Sequence, residues 1–359
     1  MSPLFDRRRR AFIAAGLGGL ALPAKAARAP ATERAALPVR RPTHCALLAV
    51  ARAGQRLVAA GERGVVISSD DAGQTWAQAE VPVSVTLTSL AFTDARHGWA
   101  TGHMGVVLRT DDGGRRWIRV LEGRQAAALI HAGASAADAA NAEATLTADD
   151  AQRFVDEGAD KPLLHIAPRA DGSLLAVGAY GMALAGRDGG RQWASLMHAL
   201  PNPDGFSLYG HAERGDELWL YGEQGLLLRA DAARPRFQPV APPSAASLFG
   251  SVVLADGTLL LLGLRGRVLR SAAPGAPLEA IATPIDAALT GGTPLADGSV
   301  AVVGAAGQLL ISRDAGRSFQ PRPLPTRFPF ADLAAAPDGA LVLVGQRGLQ
   351  RVALKSRST

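Results

Sequence analysis

The stretch from Gly98 to Trp117, GWATGHMGVVLRTDDGGRRW, contains the two turns that decide the fold. An apolar strand ends in a Gly-x-x-Gly turn, a second apolar strand follows, and an Asp-x-Gly-x-x-Trp turn comes next. Short apolar strands separated by glycine-rich turns are typical of all-β proteins. The first half of this pattern occurs seven times in the 359-residue chain.

The seven Gly-x-x-Gly copies are regularly spaced. They are LVAAGERGVVI (57–67), WATGHMGVVL (99–108), LLAVGAYGMAL (174–184), LWLYGEQGLLL (218–228), LLLLGLRGRVL (259–269), VAVVGAAGQLL (300–310) and LVLVGQRGLQRV (341–352). Their first glycines, at 61, 102, 178, 222, 263, 304 and 345, are separated by 41, 76, 44, 41, 41 and 41 residues. A period of about 40–45 residues is that of a four-stranded propeller blade. The sequence therefore predicts an all-β, seven-bladed β-propeller over residues 37–354, with glycine supplying the positive φ angles of the turns.

The second turn has the form Ser/Thr-x-Asp-x-Gly-x-x-Trp/Phe in three copies, and a fourth copy lacks only the leading hydroxyl residue. Its defining residues are Asp71, Gly73 and Trp76; Asp112, Gly114 and Trp117; Asp188, Gly190 and Trp193; and Asp314, Gly316 and Phe319. The carboxylate is expected to accept backbone N–H groups within the turn, and the aromatic ring to pack between sheets. This turn is an Asp box and resembles the bacterial neuraminidase repeat. We interpret its residues as structural.

The last repeat ends without an outermost strand. The segment Leu37-Pro38-Val39-Arg40, which precedes the first repeat, is predicted to supply that strand. Such a clasp between the first and last blades would remove exposed sheet edges.

The spacing of 76 residues exceeds one repeat of 41 by 35 residues, which predicts an insertion between blades 2 and 3. Residues 121–161 change from strand patterning to an alanine-rich helical composition. We predict helices over 124–140 and 148–157, with Thr147 as the N-cap of the second. Ala128, Leu129, Phe154 and Val155 are expected to pack the insertion onto the propeller mouth. It is either a lid or docking element, or a tolerated surface insertion without a role.

The N-terminus has the features of an export signal. Residues 1–29 carry a local charge of +5, with Arg7 to Arg10 preceding an apolar run over 12–22 and small residues beyond it. The pair Arg9-Arg10 followed by Phe12 resembles a twin-arginine signal, and a Sec signal or an uncleaved anchor is the alternative. Export to the periplasm is the expectation. Residues 30–359 carry only +1, which argues against a nucleic-acid-binding surface.

The segment that runs from Leu87-Thr-Ser-Leu-Ala-Phe92 through Gly98-Trp-Ala-Thr-Gly102 to Trp117 resembles the photosystem II stability and assembly-factor family of propellers. The family has members in non-photosynthetic bacteria that look like periplasmic companions of membrane complexes, including RND-type exporters. The resemblance implies a non-catalytic scaffold whose partner is a membrane protein complex, with an RND-type transporter as the candidate. This assignment of a partner rests on analogy with the family.

The loops that join the second and third strands of a blade share one face with the connections between blades. The Gly-x-x-Gly turns are therefore expected to surround one mouth of the channel and to form the partner-binding surface. The residues predicted there are Glu62, Arg63, His103, Met104, Tyr180, Glu223, Gln224, Leu264, Arg265, Gln346 and Arg347. The alternative for each residue is a polar turn position without a binding role.

Enzymatic chemistry has little support in the sequence. A sialidase needs an arginine cluster and a tyrosine nucleophile beside a glutamate; Tyr180, Glu62 and Glu223 occupy equivalent turns, but an Arg-Ile-Pro motif is missing. We predict no catalytic residues, and the alternative is a sialidase-like propeller that binds or hydrolyses glycans.

The seven histidines lack metal-ligand spacing and are expected mostly in solvated turns, and the single cysteine, Cys45, excludes an intrachain disulfide. No metal or cofactor is predicted.

Overall fold

The computed structural model describes residues 29–140, 146–233 and 236–354, so the predicted signal segment lies outside the described residues except for residue 29. Seven antiparallel sheets form a ring, because the first strand of each sheet contacts the first strands of both neighbouring sheets, and the last sheet contacts the first. The predicted all-β, seven-bladed propeller is confirmed.

Each blade is a meander from an inner to an outer strand. Blades 1 and 2 contain β1 (Leu47–Ala53), β2 (Arg56–Gly61), β3 (Val66–Ser69), β4 (Ala77–Gln78), β5 (Leu87–Phe92), β6 (Gly98–Gly102), β7 (Val107–Thr110) and β8 (Ile118–Leu121). Blades 3 and 4 contain β9 (Leu163–Pro168), β10 (Leu174–Gly178), β11 (Ala183–Arg187), β12 (Gln192–Ser195), β13 (Leu208–Arg214), β14 (Glu217–Gly222), β15 (Leu227–Asp231) and β16 (Gln238–Pro239). Blades 5, 6 and 7 contain β17 (Leu248–Val253), β18 (Leu259–Gly263), β19 (Val268–Ser271), β20 (Glu279–Ile281), β21 (Leu289–Pro294), β22 (Val300–Gly304), β23 (Leu309–Ser312), β24 (Gln320–Arg322), β25 (Phe330–Ala335), β26 (Leu341–Gly345) and β27 (Gly348–Val352).

The core lies between adjacent blades. The second strand of every blade except blade 4 is buried along its whole length, and in blade 4 only the first residue of β14 is partly exposed. A strand buried on both faces reads as a continuous apolar run, as in LLLL of β18. Burying each Leu or Val side chain contributes about 1.5–3 kcal/mol, so these strands stabilise the ring.

The two glycines of each Gly-x-x-Gly turn have different roles. Gly61 has an extended backbone, and a Cβ there would lie 2.0 Å from the carbonyl oxygen of Ala46. Gly64 has φ +73°, and its Cβ would lie 2.2 Å from the carbonyl oxygen of Val83 in the connection to blade 2. The expected positive φ therefore applies to the second glycine, whereas the first is needed for close backbone approach. The contact with Val83 places the turn on the face of the blade-to-blade connections, as predicted.

The Asp-box turns on the opposite face have the predicted hydrogen bonds. Asp71 Oδ1 accepts the N–H groups of Gln74 and Thr75 at 3.1 and 2.8 Å, and Ser69 Oγ accepts the N–H of Gly73 at 2.8 Å. The indole of Trp76 donates to the carbonyl of Gly73. Equivalent bonds occur at Asp112 and at Asp314, whereas the structure gives the Asp188 carboxylate no such bonds. In that copy Gly186 replaces the hydroxyl residue and makes room for the Trp193 ring.

The predicted clasp strand is wrong. Residues 37–40 form no strand, and blade 7 contains only three strands among the described residues. Pro38 lacks a backbone N–H, and the N–H of Val39 donates to the side chain of Gln78 in β4 instead of to a strand of blade 7. The chain then reaches the edge of β27 in a 3₁₀ turn over Pro42–His44, which contacts Gly348.

Two helices form the insertion between blades 2 and 3, α1 (Gly123–Ala140) and α2 (Ala148–Glu157). Thr147 Oγ1 accepts the N–H of Asp150 at 3.1 Å, so the predicted N-cap is present. The helices pack over the outer side of blade 3, where α1 contacts β12. The buried residues are Ala126, Ala127, Ile130, Ala134, Ala151 and Phe154. Ala128 and Val155 were expected to be buried but are exposed, because the helix faces are rotated from the expected ones.

Replacing Gly222 with Ala should destabilise the propeller by more than about 3 kcal/mol, because the added Cβ would lie 2.1 Å from the carbonyl oxygen of Ser207. Gly215→Ala in the same blade is the matched control, since no atom lies within 4 Å of its Cβ and only the positive φ is unfavourable. That variant should lose about 1 kcal/mol. Urea denaturation measures both; equal losses would contradict the close-approach role of the first glycine.

Candidate binding face and central channel

The Gly-x-x-Gly turns surround one mouth of the channel, which we call the turn face. Most of the residues predicted there are exposed: Arg63, His103, Tyr180, Gln224, Leu264, Arg265, Gln346 and Arg347. Tyr180 is 61% exposed and Leu264 is 40% exposed, and both are among the large apolar side chains with the highest exposure in the described residues. Met104 is partly buried and packs against the core of blades 1 and 2.

Large side chains at the turn tips occupy unfavourable backbone conformations. Arg63, Met104, Tyr180, Gln224 and Arg265 have φ between 50° and 58°, in the left-handed region. This region is uncommon for residues other than glycine, asparagine and aspartate, and each such residue costs on the order of 1 kcal/mol. Glycine would relieve the strain, so folding alone does not explain the four of these side chains that are exposed, whereas Met104 packs against the core.

Two of the predicted site residues have structural partners. The carboxylate of Glu62 accepts the N–H of Ala46 at 3.0 Å, and that of Glu223 accepts the N–H of Ser207 at 3.0 Å. Each carboxylate therefore holds its turn to the residue that precedes the inner strand of the same blade. Tyr180 points towards the insertion, where Lys161 Nζ lies 5.4 Å from its ring centroid. The structure does not give Tyr180 the glutamate partner that a sialidase nucleophile requires.

The insertion forms a cavity of about 350 Å³ beside Tyr180. Lys161 is 7% exposed, lies 5.2 Å from the ring centroid of Phe154, and forms ion pairs with Glu157 and Asp160. Although burial alone would lower it, these two carboxylates raise the pKa of Lys161. Lys161 thus anchors α2 to blade 3 next to the turn face.

The central channel contains a second cavity, of about 510 Å³, to which the inner strands of all seven blades contribute. Each inner strand has a β-bulge one residue after its start, which places two consecutive residues on the channel wall. The bulged residues are Leu48, Thr88, Leu164, Tyr209, Phe249, Thr290 and Ala331, and all seven line the cavity. The aromatic pair of Tyr209 and Phe249 has ring centroids 5.2 Å apart.

Polar side chains on the channel wall join neighbouring blades. Thr88 Oγ1 donates to the carbonyl of Leu163 at 2.7 Å, and Thr290 Oγ1 donates to the carbonyl of Phe330 at 3.0 Å. Tyr221 Oη donates to Ser251 Oγ at 3.1 Å, and it reaches the channel because Gly210 has no side chain in its path. The channel wall is thereby hydrogen-bonded around much of the ring.

Two histidines lie together where blades 3 and 4 meet. The rings of His165 and His211 are 5.0 Å apart and nearly perpendicular. Burial lowers the pKa of His165 to about 4, and burial together with His165 and Arg169 lowers the pKa of His211 well below its usual value. The expectation that most histidines lie in solvated turns does not hold for these two, which belong to strands β9 and β13 and are neutral near pH 7.

Asp332 joins the last blade to the first. Its Oδ2 accepts the N–H of Val50 in β1 at 3.0 Å, and its Oδ1 accepts its neighbour Leu333 N–H at 2.8 Å. Gly291 in blade 6 leaves room for the carboxylate, because a Cβ there would lie 2.9 Å from Oδ1. Burial raises the pKa of Asp332 to about 6.

The polar residues of the channel wall were not predicted from the sequence. Aligning the seven inner strands would have singled them out: two residues after the strand start, five strands have Ala, Ser or Gly, whereas the other two have His165 and Asp332. In the described part of the chain, no three His, Cys, Asp or Glu side chains are grouped closely enough to hold a metal ion. Within the same residues, no helix is long and apolar enough to cross a membrane.

The family model of the photosynthesis system II assembly factor YCF48 matches residues 69–132. This confirms the family resemblance over that segment. No protein with a curated function matches the chain in sequence.

Solved structures with the same fold include YCF48 bound to a D1 peptide, at TM-score 0.62 and 16% identity, covering 89% of this chain and 99% of that one. YCF48 from Cyanidioschyzon merolae has TM-score 0.62 and 14% identity, with coverages of 88% and 97%. A catalytically inactive virginiamycin B lyase from Staphylococcus aureus with quinupristin has TM-score 0.68 and 12% identity, with coverages of 89% and 98%. At these identities the structures show the fold alone, and the fold accommodates both an assembly factor and an enzyme.

Replacing His165 with Phe should reduce the acid sensitivity of the propeller. A histidine with a pKa lowered to about 4 stays neutral in the folded state, while the unfolded chain takes up its proton below about pH 6.5. The contribution of His165 to the free energy of unfolding should therefore fall by about 1–2 kcal/mol between pH 7 and pH 5, and His165→Phe should remove that fall. Urea denaturation at both pH values measures it. His103→Asn, on the exposed turn face, should keep the wild-type pH dependence, and an identical effect of both variants would refute the assignment.

Proposed function

We propose that the chain is a non-catalytic, exported assembly factor that binds a membrane protein through the turn face. One observation carries the proposal: five large side chains, Arg63, Met104, Tyr180, Gln224 and Arg265, are held at turn tips in left-handed conformations that favour glycine. Strained positions of this kind are found preferentially at functional sites. The side chains that remain exposed there are available to a partner.

The chemistry of the turn face suits a protein partner. Arg63, Arg265 and Arg347 are exposed, while Glu62 and Glu223 are hydrogen-bonded to their own blades. Exposed Tyr and Arg side chains are enriched in protein interfaces. The insertion extends this surface outward from blade 3, next to Tyr180.

The comparisons support a membrane protein as the partner. The family model that matches residues 69–132 describes an assembly factor, and one structure of similar fold contains a peptide of D1. An RND-type exporter and a periplasmic location are predictions from the sequence and the family resemblance, and the experiments below test them.

A photo-cross-linking amino acid at Tyr180 or Arg265 should capture a membrane protein in cells that produce the chain. The same amino acid at Arg313, which is exposed in the Asp-box turn of blade 6 on the opposite face, is the matched control. Mass spectrometry identifies the partner and shows whether it is an RND-type exporter.

Cross-links of equal yield from all three positions would contradict binding through the turn face. Cross-links only to soluble proteins would contradict the membrane partner. The double variant Tyr180→Ala/Arg265→Glu should lose the cross-link from a third position, Arg63, if the face acts as one surface.

The mature chain should be found in the periplasm with residues 1–29 removed. Arg9→Lys together with Arg10→Lys should retain the unprocessed chain in the cytoplasm, because the twin-arginine pair directs export of folded proteins. Cell fractionation and intact mass measure location and processing. Normal export of the paired lysine variant would assign the segment to the Sec route, and cytoplasmic wild-type protein would refute export.

A further inference from the structure

The channel cavity has a single formally charged wall residue, Asp332. Its carboxylate accepts two backbone N–H groups, and no ion pair with Asp332 occurs among the described residues. Each carboxylate oxygen can accept more than one hydrogen bond, so acceptor capacity remains. An ionised carboxylate inside a protein without a cation beside it is unfavourable, and a cationic ligand would relieve that cost.

The other wall residues suit an alkyl chain that ends in a cation. Leu48, Leu90 and Leu164 supply apolar surface, and Tyr209 and Phe249 form an aromatic pair in the bulged layer. This layer follows the strand starts, which lie at the turn face, so it is the part of the wall nearer that mouth. Aromatic faces attract ammonium and guanidinium groups by about 0.5–2 kcal/mol.

The cavity can hold a ligand of this size. Its volume of about 510 Å³ is within the range of small-molecule sites, and Gly291 leaves the wall beside Asp332 without a side chain. The hydroxyl groups of Thr88 and Thr290 are committed to carbonyls of neighbouring blades. Asp332 is thus the wall group that distinguishes a cation from a neutral ligand.

We propose that the central channel binds one alkylammonium or alkylguanidinium group, with Asp332 as its counter-ion and the Tyr209–Phe249 pair around its alkyl chain. The group belongs either to a free amine or to a lysine or arginine side chain inserted by a protein. This site is independent of the proposed membrane partner, since a chain without that partner would still bind the amine.

Isothermal titration calorimetry of the folded mature chain with two probes tests the site. Cadaverine represents a free amine, and Nα-acetyl-lysine methylamide represents an inserted side chain; the neutral isostere Nα-acetyl-norleucine methylamide is the ligand control. We expect at least one of the two cations to bind with a dissociation constant below about 10 mM at pH 7.5, and we expect the norleucine compound not to bind. If only cadaverine binds, the site takes a free amine. If the lysine compound binds, the site takes a side chain inserted by a protein.

Asp332→Asn should weaken cation binding by about tenfold or more. Asp338→Asn in the same blade is the matched control, since that carboxylate pairs with Arg351 away from the channel. Phe249→Leu should weaken binding less, by about threefold, because it removes an aromatic face and keeps the apolar wall. Circular dichroism of each variant shows that it is folded, and Phe249→Leu provides the test if Asp332→Asn does not fold.

The pH dependence gives a separate readout. Asp332 has a pKa of about 6, so binding should weaken by about tenfold from pH 7.5 to pH 5. The other titratable groups on the wall, His165, Tyr209 and Tyr221, remain neutral over this range, because burial lowers the pKa of the histidine to about 4 and raises the pKa values of both tyrosines. Glu223, which faces Tyr209 from the turn face, is present in both the wild type and Asp332→Asn, so it does not contribute to the difference between their pH profiles. Failure of both cations to bind, or equal affinity in the wild type and Asp332→Asn, would overturn the proposal.

Discussion

The contact between β1 and β25 closes the ring, and the positions of all seven blades depend on it. Many propellers close by letting one blade combine strands from both ends of the chain. Among the residues that the structure describes, blade 7 has three strands, all from the C-terminal end, and residues 37–40 add none. Closure therefore depends on packing between inner strands, on the Asp332 hydrogen bond to Val50, and on the 3₁₀ turn over Pro42–His44 against β27.

This mode of closure connects stability with the chemistry of the channel. The polar groups on the wall hold adjacent blades together, and Asp332 does so at the one junction where the chain is not continuous from blade to blade. Replacing that carboxylate by a small apolar residue would leave the N–H of Val50 without its partner. Retaining it leaves a charge on an otherwise neutral wall. The same residue is thus needed for closure and available to a ligand.

The repeat and the insertion could be predicted from the sequence because they depend on local patterns. Glycine pairs at a spacing of 41 mark the turns, and an N-cap followed by acidic residues marks the start of α2. The channel wall could not be predicted in this way. The bulge in each inner strand breaks the alternation of faces, so that Leu164 and His165, or Ala331 and Asp332, line the cavity together. The prediction of a clasp strand was wrong because the side chain of Gln78 forms hydrogen bonds with the N–H of Val39 and the carbonyl of Leu37, groups that strand pairing would have used.

The chemistry of the two turn types concentrates the available side chains on one face. In the Asp boxes, the carboxylates are used by the turns themselves: hydrogen bonds from Thr75 and Ser69 lower the pKa of Asp71, and, against the opposing effect of burial, those from Ser318 and Ser312 lower the pKa of Asp314 to about 2. The Gly-x-x-Gly turns are closed by backbone hydrogen bonds, such as that from Gly61 to Val65. The side chain of their third residue takes no part in closing the turn, yet it is large in six of the seven turns, and in five of those six the backbone is left-handed. Because the bulges lie at the strand ends next to these turns, the bulged layer is the part of the channel wall nearest the turn face.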